Sequence, residues 1–151
     1  MLTDEFRKAK SPQIEYEGKT VVLYDTIDVP EEGTMVLRFQ GGSSEWRQGV
    51  RIGDLSPGTD LVITVAGRSA PGMQLWQDAC PSEVEIAFVA PQKKVTVYNI
   101  WDSGDGQSRS QLMGSGMHRE ISEDGRTRTY QCNDGHAETV FSHLVFSLEV
   151  L

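Results

Sequence analysis

The chain has 151 residues, 38% of them apolar and 24% charged, with 22 acidic against 14 basic residues for a formal charge of -8. That length suits one domain that can bury a core without disulfides or a structural metal, and the apolar content excludes a disordered chain. Negative charge in excess in both halves repels phosphate backbones and anionic lipid, which excludes nucleic acid and membrane surfaces as expected partners.

Residues 1–12, MLTDEFRKAKSP, carry charge where a secretion signal needs an apolar core, and no run of about 18 apolar residues occurs anywhere. A soluble protein is expected, by default cytoplasmic, with specialised secretion addresses left open. The segment reads as a tail or a short helical turn ahead of a domain spanning 13–151. Gln13 to Glu17 and Thr20 to Tyr24 flank a Glu17-Gly18-Lys19 turn and predict a hairpin. After Pro30 to Gly33, Met35, Leu37 and Phe39 alternate with Val36 and Arg38, the period of a half-buried strand. Trp46 to Ile52 predicts the next strand, with Gly49 marking a bulge or the close approach of another backbone. Ser56-Pro57-Gly58 turns the chain, Leu61, Ile63 and Val65 resume the alternation, and Ala70-Pro71-Gly72 interrupts it again. A short piece from Met73 to Trp76 leads to Glu83 to Ala90, where Val84, Ile86 and Phe88 face in.

The most strand-like run follows, Lys93 to Gly106, KKVTVYNIWDSGDG: a β-branched and aromatic stretch that ends in an acidic, glycine-rich loop. Residues 107–115 are polar and predict no element. His118 to Ser122 and Arg126 to Cys132 predict a second hairpin around Asp124-Gly125, a pair that supplies the positive φ angles of a tight turn. Thr139 to Leu151 is apolar on both faces and predicts a central strand. Nine to ten short antiparallel strands with regular turn signals make the expected fold all-β, a single-domain β-sandwich of jelly-roll type, with a closed barrel as the runner-up.

Calcium takes six to eight oxygens, from carboxylates and loop carbonyls that curl around it. Asp102, Asp105 and Asp134 are the candidate metal ligands if their loops share one end of the sandwich, although Gly104 and Gly106 stand where further ligands would be. Trp101 and Asn133 are the candidate ligand-binding residues, because an aromatic ring beside Asp and Asn is how a protein grips a sugar. Cys132, His136 and His143, with His118 and Cys80 in reserve, lack the two close Cys/His pairs of a structural zinc site. Cys80 and Cys132 read as buried thiols, a bridge between them being left open. Gly114-Ser115-Gly116 reads as an exposed flexible connector rather than a nucleophile, since Met113 and Met117 occupy the positions where a hydrolase elbow needs glycine.

Residues 128–150, RTYQCNDGHAETVFSHLVFSLEV, resemble the end of small bacterial β-rich proteins of uncharacterised function. Their tail also resembles calcium-binding β-sandwich domains that close with an Asp-Phe-x-Asp-Leu-Val-Phe strand. Phe141, Leu144, Val145 and Phe146 match its apolar positions, while Val140 and His143 replace its aspartates. The resemblance implies a β-sandwich and, less directly, calcium. The expected function is a binding protein for calcium or carbohydrate acting through loops at one end of the sandwich. The alternative is a protein-interaction or assembly role, as an oligomeric subunit or an acidic inhibitor without a small-molecule ligand.

Overall fold

The computed structural model describes residues 1–151. One helix, α1 (Leu2–Ala9), precedes thirteen strands: β1 (Gln13–Tyr16), β2 (Lys19–Val22), β3 (Asp25–Asp28), β4 (Glu32–Gly41), β5 (Arg47–Gly53), β6 (Val62–Val65), β7 (Arg68–Ala70), β8 (Gly72–Trp76), β9 (Glu83–Val89), β10 (Lys94–Asp102), β11 (Gly116–Ile121), β12 (Thr127–Asn133) and β13 (Leu144–Val150). No helix is long and apolar enough to cross a membrane.

The strands form two antiparallel sheets, one of nine in the order β1-β2-β11-β12-β13-β4-β9-β6-β7 and one of four in the order β3-β10-β5-β8. From β3 to β10 the chain passes back and forth between the sheets. It leaves four strands in the order β3-β10-β5-β8 facing four in the order β4-β9-β6-β7, the double Greek key of a jelly roll. The larger sheet then runs on past β4 through β13, β12, β11, β2 and β1. The expected sandwich is therefore present, with more strands than the nine to ten anticipated. Two of the additional ones are short and polar. β3, Asp-Thr-Ile-Asp, hides its strand period because an inward position is an aspartate, and β7 is three residues long beside Pro71.

Local pattern and burial agree most cleanly on β9, where Val84, Ile86 and Phe88 are buried and the alternate residues exposed. They meet Met35, Leu37 and Phe39 of β4 in the core between the sheets. β10 lies between β3 and β5, inside the smaller sheet, and Val95, Val97, Ile100 and Trp101 are all buried. β13 lies between β12 and β4 with one apolar face, Leu144, Phe146 and Leu148, buried in the core; on the other face Ser147 and Glu149 bond Gln40 and Arg38 of β4, so only one of the two expected apolar faces is present. At Gly49 of β5, an added Cβ would stand 2.8 Å from the Leu75 carbonyl and 2.9 Å from the Trp76 ring, so the glycine marks a close approach of β8. Two hairpins close with two-residue turns in which both residues take positive φ: β1–β2 at Glu17 (φ 49°) and Gly18 (φ 77°), and β6–β7 at Ala66 (φ 50°) and Gly67 (φ 78°). At Asp124-Gly125 only Gly125 does so, and the turn is wider than the dipeptide suggested.

A second, smaller core lies on the opposite face of the extension. Val22 faces the main core, while its neighbour Val21 packs with Leu2, Phe6, Ile14 and Phe141. The N-terminal segment is thus a two-turn helix whose apolar side, Leu2 and Phe6, is buried on β1 and β2. The two sheets are also joined by a buried charge. Asp25 of β3 accepts hydrogen bonds from Arg119 at 2.9 Å, Arg128 at 3.0 Å and the Tyr130 hydroxyl at 2.6 Å, all three on the larger sheet. Burial, followed by the negative charge of Asp25, pushes the Tyr130 phenol well above its ordinary range.

Candidate functional site

Four connections bear on the end of the sandwich where β12 finishes: 42–46, 77–82, 103–115 and 134–143. Asn133, the last residue of β12, organises them. Its side-chain amide donates to the carbonyls of Gly114 (2.7 Å), His136 (3.2 Å) and Asp134 (3.3 Å), and its oxygen accepts the Val140 N–H at 3.1 Å. Its own carbonyl accepts from Asn99 of β10 at 3.1 Å, tying the two sheets together. An isolated Asn in a sequence carries no sign of such a task; the adjoining Asp-Gly turn was the available signal.

Asp134 is the centre of the site and is 0% exposed. Its Oδ2 accepts from Ser44 Oγ at 2.8 Å and from Gln48 Nε2 at 2.9 Å. Oδ1 accepts from the His136 N–H at 3.0 Å and the His136 Nδ1–H at 2.5 Å, and lies 3.2 Å from His143 Nδ1. His143 Nδ1 in turn accepts the Asp134 N–H at 3.0 Å, which assigns its ring proton to Nε2. The other face of His136 is engaged too: Nε2 lies 3.0 Å from Glu45, and the ring stacks on Trp46 with centroids 3.7 Å apart. Asp134, His136 and His143 bring three ligand atoms within 4.8 Å of one another. Gln48 Oε1, on the amide that holds Asp134, is a buried side-chain acceptor with no hydrogen-bond partner.

The charges are set by these contacts. Burial works against ionisation of Asp134, but the hydrogen bonds from the His136 amide and ring and from Ser44 together hold it below the usual carboxylate range. The hydrogen bond to Asp134 raises His136 above an ordinary imidazole against a smaller opposing effect of burial, with Glu45 adding to the rise. Burial lowers His143, outweighing the attraction of Asp134. The metal-free protein should therefore show two histidines that titrate apart by NMR, His136 above and His143 below a free imidazole. Because His136 is raised, the stability it contributes is complete below an ordinary imidazole pKa and is lost as pH rises through its own folded value. A single shared midpoint would contradict the arrangement.

Beside the cluster opens a polar cleft of about 450 Å³ lined by Glu45, Trp46, Arg47, Gln77, Asp78 and His143, among others. Arg47 donates to both oxygens of Asp78 at 2.8 and 2.9 Å, with its guanidinium 4.4 Å from the Trp76 ring, which gives one wall a fixed charge pattern.

Of the residues singled out in the sequence, Asn133 and Asp134 stand together, and the buried Trp101 ring lies against Gly135, where an added Cβ would come within 2.8 Å of it. It is Trp101, ahead of the acidic loop, that meets the Asn133 turn; the carboxylates of the loop serve the loop itself. Asp102 caps the N–H groups of Gly104 and Gly106 at 2.8 and 3.2 Å. Asp105 binds Arg109 through both oxygens, at 2.9 and 2.6 Å, and the Gln107 N–H at 3.1 Å. The Arg109 hydrogen bonds hold Asp105 down at about 2. Neither aspartate belongs to the Asp134 cluster. Cys132 is buried, its thiol pushed well up by that burial, and it too lies outside the cluster; both cysteines are free. Ser115 is 1% exposed, so the expected exposed connector is a packed turn, with Gly114 pressed against the His136 carbonyl.

Ser44, Glu45 and Gln48 entered the site without any sequence-based expectation. The partners Ser44 and Gln48 lie 90 and 86 residues from Asp134, and only the fold brings them there. Protein-family models, curated proteins and solved structures were all compared with the chain, and none matches it.

Proposed function

We propose that this jelly roll is a binding module that holds one divalent transition-metal ion, zinc by preference, at Asp134, His136 and His143, and receives a polar ligand in the adjoining cleft. The observation that carries the reading is the convergence of those three donors, one carboxylate and two imidazoles, around a buried centre. Imidazole nitrogen suits zinc and its neighbours, whereas calcium selects oxygen alone, so this donor set favours zinc over the calcium expected from the acidic loops. Ligands about 2.1 Å from a tetrahedral ion stand roughly 3.4 Å apart, so donors within 4.8 Å can close on an ion by shifts of about an ångström. Three protein ligands leave a fourth position for a ligand or water, and the cleft that His143 lines gives access to it. Ser44 and Gln48 supply what a zinc carboxylate needs around it, hydrogen bonds that orient it. The Trp46 ring with Arg47, Gln77 and Asp78 suits a hydroxyl-rich ligand such as a sugar.

Binding a metal displaces the His136 proton, so affinity should fall as the solution is acidified. Zinc at about a hundred times its Kd should add roughly 2.7 kcal/mol of stability, a rise in melting temperature of about 5–10 °C that a chelator reverses. Asp102→Ala with Asp105→Ala should leave that rise intact, because both carboxylates serve their own loop. A rise lost in this double variant but retained in His143→Gln would move the site to the acidic loop and overturn the assignment.

A further inference from the structure

We infer that a second site, independent of the Asp134 cluster, takes a single small anionic amphiphile, a free long-chain carboxylate, in the groove between α1 and the 111–113 loop. The groove measures about 690 Å³, within the roughly 300–1,000 Å³ usual for small-molecule sites, and shares no lining residue with the cleft beside Asp134.

Its floor and walls include Phe6, Pro12, Leu23, Leu112 and Met113. Leu112 and Met113 are 52% and 53% exposed, which is costly for a neighbouring apolar pair. The loop that presents them is itself unfavourable, since Gln111 (φ 56°) and Met113 (φ 55°) both hold left-handed backbone, where side chains other than glycine are rare. The pair is thus held at the mouth of the groove rather than folded under it.

Charge selects the occupant. Arg7 and Lys10 line the same groove, and the ion pairs of the helix, Met1 amine with Asp4 and Lys8 with Glu5, leave both cations unengaged. Two free cations on a chain of net charge -8 are a local reversal of its surface, and beside an apolar trough they complement a carboxylate head on a hydrocarbon tail. The carbonyls at the end of α1, which would repel an anion, are partly satisfied: the Lys10 N–H donates to Phe6 and Arg7 at 3.0 and 3.3 Å.

The test is calorimetric titration of the full chain with dodecanoate below its micelle concentration. Dodecyl maltoside, with the same tail and an uncharged head, serves as the comparison. Dodecanoate should saturate one site per chain and bind about tenfold more tightly than the maltoside, as an ionised hydrogen-bonded head requires. Arg7→Gln with Lys10→Gln should remove that preference, and Leu112→Asp should weaken dodecanoate about fivefold or more. All three positions are exposed, so their melting temperatures should match the parent. Absence of saturable binding, equal affinity for both detergents, insensitivity to the variants, or binding confined to anionic vesicles would each overturn the proposal.

Discussion

Replacing Asp25 by alanine should lower the stability of the fold by about 3–5 kcal/mol, because the change leaves two half-buried guanidinium groups and a buried phenol without their shared acceptor. Asp25 is the only acceptor on the smaller sheet for Arg119, Arg128 and Tyr130, so its loss uncouples the two sheets where the nine-stranded layer extends past the four-stranded one. Against a total of about 5–15 kcal/mol for an ordinary domain, that is a large fraction. It should appear as a fall in melting temperature on the order of 10 °C. Tyr130→Phe makes the contrast: it deletes one hydrogen bond but leaves both arginines paired, and it should cost about 1–2 kcal/mol. Equal losses in the two variants would show that the charge at Asp25 contributes nothing beyond the tyrosine contact.

Asp134→Ala should cost a similar amount, about 3–5 kcal/mol, and should abolish metal binding as well. Four donors meet this carboxylate, from Ser44, Gln48 and the amide and ring of His136, and all four lose their acceptor, that of Gln48 in a buried position. The sign of the pH dependence follows from the lowered pKa. Stability contributed by Asp134 is present above the ordinary carboxylate pKa and is lost as pH falls through its lower folded value, so the parent should resist acid into a range where the variant gains nothing. Chemical denaturation at neutral pH and near pH 3 measures this directly: the gap between parent and variant should narrow at the lower pH. A constant gap would mean that Asp134 acts by its shape rather than its charge.

Particular residues show what could be read in advance. The alternation on β4 and β9 is visible in the sequence because each strand has one face on the core and one towards solvent, and the long β-branched and aromatic run of β10 marks a strand inside its sheet. β3 is hidden because its inward residue is Asp25, whose partners lie 94 to 105 positions away. The helix α1 is hidden because only Leu2 and Phe6 of its eight residues are buried.

At the site the same distinction holds. Asp134 and Asn133 stand out as turn residues before an apolar strand, and His136 and His143 stand out as potential ligands. Set beside only Cys and His as partners, those histidines hid the fact that Asp134, two residues before His136, completes a three-donor set. Asp102 and Asp105 drew attention by composition, but an aspartate beside glycines serves its own backbone as readily as an ion, and here both do. Ser44 and Gln48 left no local sign, since what they do depends on the sandwich bringing the 42–46 connection and β5 of one sheet beside the end of β12 of the other.

The most direct measurement is calorimetric titration of the parent and of His143→Gln with zinc and, separately, with calcium. His143 is the suitable position because its ring donates nothing to the Asp134 carboxylate network, so the variant should keep its fold. The parent should bind one zinc per chain with at least about a hundredfold preference over calcium, and His143→Gln should bind zinc about tenfold or more weakly. Calcium bound more tightly than zinc, or zinc bound equally well by both proteins, would contradict the assignment.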